Sequence, residues 1–397
     1  LDVASFADSL DAADVSIELF DDVTAEMTTT VAPSDGAAGS TLYGAGGDTA
    51  VVTVAGDYVI GQFWVDERQY GLQSIGGVTA VYEVVRDFPD DTDTLVALPG
   101  PSNGPSGLTG QEQGLDAGDP IGIPVIETMV AYDAEAFAFY GNNVDTVRAN
   151  AAAMVNLTNQ TYRNTGQDQH MNLTHIYATG TTPNTTNMVT YRNQLAAKAD
   201  GNFDGVHGSR DANGSDFIVL LSNRFVPTGL CGIAFFPSGP NPAEDEAYNV
   251  TEASCALGGL TFTHELGHNQ CAGHENAGSN GCGYASGRGY NNIGANTRTI
   301  MARNSSPGTR NPVWSKENWF FNGWLTGTAA QDNAEVLELE DSAPGTISGG
   351  VATYRVGNGL STSVAGIDGV SCIYGSLEDA FNTAPTGSTI YVAPGTY

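Results

Sequence analysis

The sequence predicts an α/β or α+β protein: alternating strands and helices with one histidine-rich helix, preceded by a small antiparallel β domain. Three observations predict it. The first 95 residues hold short alternating apolar stretches between Gly, Asp and Ser turns. From Val125 onward, strand-like and helix-like periods alternate. Three of the six histidines fall within the eleven residues 264–274, on a helix-like segment.

In order along the chain, Val15–Phe20, Ala50–Ala55, Tyr58–Val65 and Gly77–Val85 are the expected strands of a β domain spanning residues 1–95. Residues 96–120 include Leu98-Pro-Gly-Pro-Ser-Asn-Gly-Pro-Ser-Gly. They are too rich in Pro, Gly and Ser to build a core and read as an exposed connector open to proteolysis. The segment 121–327 alternates an expected strand at Val125–Tyr132, helix at Val144–Tyr162, strand at Met171–Ala178, helix at Met188–Ala199 and strand at Phe217–Leu221. Helices are expected to stop near Leu325. Residues 328–397 then read as a linker followed by the start of a further domain, cut off in mid-fold.

At 397 residues the chain exceeds one ordinary core, so two or three domains are expected. Asp+Glu number 45 against Lys+Arg 14, a formal charge of −31, which argues against nucleic acid as a partner because phosphate backbones require a basic face. Salt would screen the self-repulsion of such a surface, which fits a saline extracellular setting. No run of 18 or more apolar residues is present to cross a bilayer. The chain opens at Leu1 without a charged-then-apolar leader and reads as a processed or excised piece. Four of its five cysteines, Cys231, Cys255, Cys271 and Cys282, cluster around the histidine segment, as two disulfides in an oxidising compartment would. Neighbour pairing joins Cys231 to Cys255 and Cys271 to Cys282, one of three connectivities that four cysteines allow.

The segment His264-Glu265-Leu-Gly-His268-Asn-Gln-Cys271-Ala-Gly273-His274 carries the chemistry. Histidines four apart on a helix share one face, so two imidazoles can reach one Zn²⁺. Gly273 gives the chain freedom to turn and bring back His274 as third ligand, leaving one coordination position open for water. Glu265 then stands beside the metal as general base for hydrolysis without a covalent intermediate.

This pattern, with Thr299-Ile300-Met301-Ala302 downstream, resembles the metzincin metallopeptidases, in particular their bacterial reprolysin-like group. The resemblance implies a metzincin-like zincin catalytic domain (a mixed twisted sheet plus the active-site helix) and places Met301 in the Met-turn beneath the histidines. Asp216-Phe-Ile-Val-Leu-Leu and Cys231-Gly-Ile-Ala-Phe look like the core strand and the edge strand of the group. Gly232, Ile233 and Ala234 are thereby implied as a rail that binds extended substrate by strand addition. The chain departs from the group at Cys271, where a Gly is usual. A side chain there disfavours a left-handed backbone by ~1–2 kcal/mol, so a reshaped turn held by a Cys271–Cys282 disulfide is expected. Arg303 stands where many relatives carry Tyr.

Other features have plainer readings. Cys271 as a thiolate ligand would close the open metal position and abolish hydrolysis, so the disulfide is preferred. Asp200, Asn202, Asp204 and Asp211 match the spacing of a calcium loop, set against an Asx-rich turn after a helix. His170, His175 and His207 read as ordinary polar positions. Residues 1–95 resemble the propeptide of reprolysin-like proteins through Gly56-Asp-Tyr-Val-Ile-Gly-Gln-Phe and Tyr82-Glu-Val-Val, with the run Asp87 to Asp93 as a candidate inhibitory element. The tail from Cys372 looks like the opening of a pectin-lyase-type β-helix and implies contact with a polysaccharide or cell surface. The expected whole is a secreted zinc endopeptidase acting on protein or peptide substrates and made as a precursor. Its rival is a catalytically silent, zinc-stabilised adhesin or carbohydrate-binding protein.

Overall fold

The structure, a computed structural model, describes residues 14–84 and 125–341, apart from short connecting segments, together with residues 353–356 and 389–392. The first unit is a single antiparallel meander. Its strands are β1 (Asp14–Phe20), β2 (Val23–Val31), β3 (Ala38–Gly44), β4 (Thr49–Ala55), β5 (Tyr58–Val65), β6 (Arg68–Ile75) and β7 (Val78–Glu83), paired in sequence order. The sequence pattern finds β1, β4, β5 and β7. It misses β2 (VTAEMTTTV), β3 (AGSTLYG), which is rich in Gly and Ser, and β6, whose buried Gln69 breaks the apolar alternation. One face buries Val15, Ile17, Val59, Phe63 and Leu72 in a core of its own.

The second unit is a five-stranded sheet ordered β11-β12-β10-β8-β9. Strands β8 (Val125–Tyr132), β9 (His170–Ala178), β10 (Phe217–Ser222) and β12 (Tyr248–Glu252) run parallel. The short β11 (Gly232–Ala234) lies antiparallel along the edge of β12, with Ile233 opposite Val250. Every residue of β10 is buried, as a central parallel strand covered on both faces requires. Helices α1 (Ala134–Phe139), α2 (Val144–Asn164), α3 (Met188–Ala196), α4 (Gly205–Asn213), α5 (Thr261–Asn269) and α6 (Asn333–Asp341) complete the unit. Helix α2 begins at Asn143, whose Oδ1 accepts the amides of Asp145 and Thr146.

Two expectations need correction. Helices do not stop near Leu325. In α6, Asp332 Oδ1 accepts the Glu335 amide at 2.9 Å, and Ala334 and Leu337 join the core beneath the histidine helix. The turn at Cys271 is not reshaped, since Cys271 itself adopts the left-handed conformation with φ 69°. At the candidate calcium loop the hydrogen bonds are those of the Asx-rich turn set beside that reading: Asp204 accepts the amides of Asp200 and Gly201, Asp200 accepts that of Asn202, and Asp211 lies on α4. Asp200, Asp204 and Asp211 do not form a convergent carboxylate group.

Asp87–Asp93 and the tail residues 372–388 lie outside the described residues; Thr353–Val356 pairs in parallel with Thr389–Val392. Among the described residues no helix is long and apolar enough to cross a membrane.

Candidate metal centre and active site

Helix α5 starts from Leu260, held in the left-handed region at φ 57°, and all nine of its residues are buried. It packs on α2, where the Thr158 and Thr263 hydroxyls meet at 2.9 Å and the Tyr162 hydroxyl donates to Gln270 Oε1 at 2.8 Å. At its far end Asn269 Nδ2 donates to the carbonyls of Phe235 and Glu246, both at 3.0 Å, fixing the helix to the edge-strand region.

His264 and His268 therefore project from one buried face of α5, and the chain turns at Cys271 to bring back His274. The structure brings these three together: one ligand atom from each lies within 4.8 Å of the others, the only such group of His, Cys, Asp or Glu among the described residues. His274 Nε2 is 3.1 Å from that of His264 and 3.0 Å from that of His268. His264 Nδ1 is 2.9 Å from the Ile300 carbonyl, and His268 Nδ1 is 2.9 Å from the Ala272 carbonyl. A carbonyl oxygen only accepts, so Nδ1 of His264 and of His268 carries the hydrogen and their Nε2 atoms present lone pairs. Both lone pairs lie within 3.1 Å of His274 Nε2, so the three ring nitrogens converge where one cation could take all of them. Tetrahedral zinc with nitrogens at about 2.0–2.1 Å needs nearly this spacing, so the donor set fits zinc.

Glu265, next to the first histidine, is buried beside β11, where Gly232 packs directly against its carboxylate. Phe236, just past the edge strand, sets its ring edge-on to His268 at 5.5 Å. Beneath the helix, Met301 Sδ and the Trp314 ring occupy the space a Cβ at Gly267 would need. Glu275 Oε2 accepts the Arg303 amide at 3.2 Å, and its Oε1 lies 3.5 Å from Arg303 Nε. That tie joins the segment after the third histidine to the segment after Met301. Disulfides link Cys231 to Cys255 at the start of the edge strand, and Cys271 to Cys282 at the turn.

Sequence reasoning missed two residues that hold the site. Asn333 grips Gly273 through both main-chain groups, accepting from its amide and donating to its carbonyl, each at 3.1 Å. Asn269 anchors the other end, and its place directly after the second histidine was the one available signal. Away from the histidines, Glu252 at the end of β12 is fully buried, and desolvation pushes its pKa up to about 8 even though its Oε2 accepts the Phe225 amide. Burial also raises the Asp133 carboxyl.

A buried histidine triad and an adjacent glutamate, carried by one helix beside an antiparallel edge strand, mark the class of zinc-dependent metallopeptidases. The family model Reprolysin_5, described as Metallo-peptidase family M12, matches residues 124–315. The chain is 31% identical over 305 residues to a peptidyl-Asp metalloendopeptidase of Stenotrophomonas maltophilia (strain R551-3), covering 73% of this chain and 68% of that protein. The protein of the same name from strain K279a is 30% identical over 302 residues, with the same coverage. One from Xanthomonas campestris pv. campestris is 28% identical over 299 residues, covering 73% and 67%. The chain belongs to metallo-peptidase family M12 and is a zinc-dependent metalloendopeptidase.

Proposed function

We propose that His264, His268 and His274 hold the catalytic zinc of a metzincin-type site and that Glu265 is its general base. The observation that carries this reading is the convergence of three Nε2 atoms, two of them on rings whose Nδ1 is held by a main-chain carbonyl. Bound zinc supplies a Lewis acid and lowers the pKa of a coordinated water to about 7. Glu265 accepts a proton from the attacking water and returns it to the nitrogen of the leaving amine. Gly232, Ile233 and Ala234 offer an edge on which extended substrate can add as a strand, directly beside Glu265. Two disulfides suit an oxidising compartment, so the enzyme acts outside the cytoplasm, with the 96–120 connector as its maturation site. Casein hydrolysis by linker-cut wild type and Glu265→Ala at equal zinc content tests the mechanism. Cleavage by the zinc-loaded alanine variant would reject Glu265 as the base.

The substrate bond lies beside an aspartate, as the names of the relatives state for those proteins. The arginines near the triad support this. Arg298 and Arg310 donate into main-chain carbonyls, and Arg303 faces Glu275. Arg288, whose main chain bridges to Gly273, has no side-chain partner among the described residues, and its Nε is enclosed. An arginine fork left open in this way is suited to a carboxylate. Paired peptides differing only by Asp or Asn beside the scissile bond test it. Equal kcat/KM on both would remove the aspartate preference.

A further inference from the structure

The seven-stranded sheet does not sit apart from the peptidase unit. Val51 and Ile60 on β4 and β5, with Trp64, belong to the same buried cluster as Met154 and Leu157 of α2, Leu260 at the start of the histidine helix, and Met301. The apolar core therefore runs unbroken from the N-terminal sheet to the floor of the metal centre. Polar ties reinforce it along α2: Asn143 Nδ2 donates to the Tyr58 hydroxyl at 2.9 Å, Gln73 Nε2 to Asn150 Oδ1 at 2.8 Å, and Asn156 Nδ2 to Thr53 Oγ1 at 2.9 Å.

Two contacts reach further, to the segments that set the triad. Buried Gln69 Nε2 donates to the Gly258 carbonyl at 2.9 Å, two residues before Leu260 caps α5. Trp64 Nε1 donates to the Arg310 carbonyl at 3.3 Å. The guanidinium of the same Arg310 donates to the Gly259 carbonyl at 2.8 Å and to the Ala302 carbonyl at 3.2 Å. Arg310 thus ties the start of the histidine helix to the residue after Met301, and Trp64 of the sheet holds Arg310 from behind.

We propose that the sheet at residues 14–83 is a permanent component of the working enzyme. It stays bound after the connector is cut, and Gln69 and Trp64 act as positioning residues for the histidine helix and the Met301 turn. Removing it would return Val51, Ile60 and Trp64, and the α2 face they cover, to water, and would leave the buried Gly258 carbonyl without its donor. A segment that only blocked the cleft would have no need of contacts behind the metal centre. The proposal does not depend on the aspartate preference.

The test uses the full zinc-loaded chain with a site-specific protease sequence placed in the 96–120 connector. After cutting, the two fragments are expected to co-elute in native gel filtration and to separate only in denaturant. Dissociation under native conditions would overturn retention, whatever the activity of the remainder. Gln69→Met keeps the side-chain volume and removes the donor. It is expected to lower kcat about tenfold, with KM and zinc content unchanged, at a temperature where circular dichroism shows the protein fully folded. An unchanged kcat would overturn the positioning role.

Discussion

Gly232 of the edge strand lies so close to Glu265 that a Cβ built on it would meet the Glu265 carboxyl carbon at 2.6 Å and its Cγ at 2.7 Å. The edge strand and the carboxylate are packed as one surface, and only a residue without a side chain fits between them. Gly232→Ala must push the carboxylate aside or move the strand. It is expected to cut kcat/KM by about 100-fold, the scale of a lost general base, while zinc stoichiometry stays at that of wild type. Near-normal turnover in a zinc-loaded G232A enzyme would show that the carboxylate has room to spare.

Metal removal leaves three buried ring nitrogens, those of His264 and His268 at 3.0–3.1 Å from that of His274, without the cation their arrangement fits. Chelation is therefore expected to lower stability as well as abolish cleavage. With free zinc at 1,000 times its Kd, binding contributes about 4 kcal/mol. Calorimetry of chelated and zinc-restored protein should show a Tm difference of roughly 10 °C. Identical melting curves would mean that the triad carries little of the fold.

At the Cys271 turn two effects oppose each other. The left-handed backbone at φ 69° costs a non-glycine residue ~1–2 kcal/mol, whereas closing a short loop with a disulfide contributes about 3 kcal/mol. The disulfide should win. Cys271→Gly combined with Cys282→Ser is expected to lose roughly 1–2 kcal/mol in urea unfolding despite the relieved backbone, and a more stable double variant would reverse that ranking.

Glu252 sets a pH dependence of stability. Its folded pKa of about 8 lies above the ordinary carboxylate value of 4.5, so between these values the folded state holds a proton that the unfolded state has released. Stability from this group is complete below about pH 4.5 and falls as pH rises toward and through 8. Asp133, raised by burial as well, acts in the same direction. Glu252→Gln, neutral at every pH and still able to accept from Phe225, should flatten the decline in Tm between pH 5 and 9. A wild-type Tm that does not change across that range would refute the assignment.

The sequence by itself determined the chemistry and most of the regular elements. His264 and His268 need only a helical period to share a face, with Glu265 next to the first of them, and the third histidine follows in the same short segment, although the left-handed turn that brings it back is at Cys271 rather than at Gly273; such relationships are local and can be read in one dimension. The strands expected at Val125–Tyr132 and Phe217–Leu221 are likewise found, and the apolar run of the second marks a strand buried on both faces. Tertiary structure alone decided what supports that chemistry. Asn333 grips Gly273 from 60 residues away, Trp64 reaches Arg310 across 246 positions, and Gly232 makes room for Glu265 from another element. None of these pairings leaves a period or a spacing in the sequence. Each arises because burial forces a polar group to find a partner, or a side chain to vacate space, wherever the packed chain supplies one.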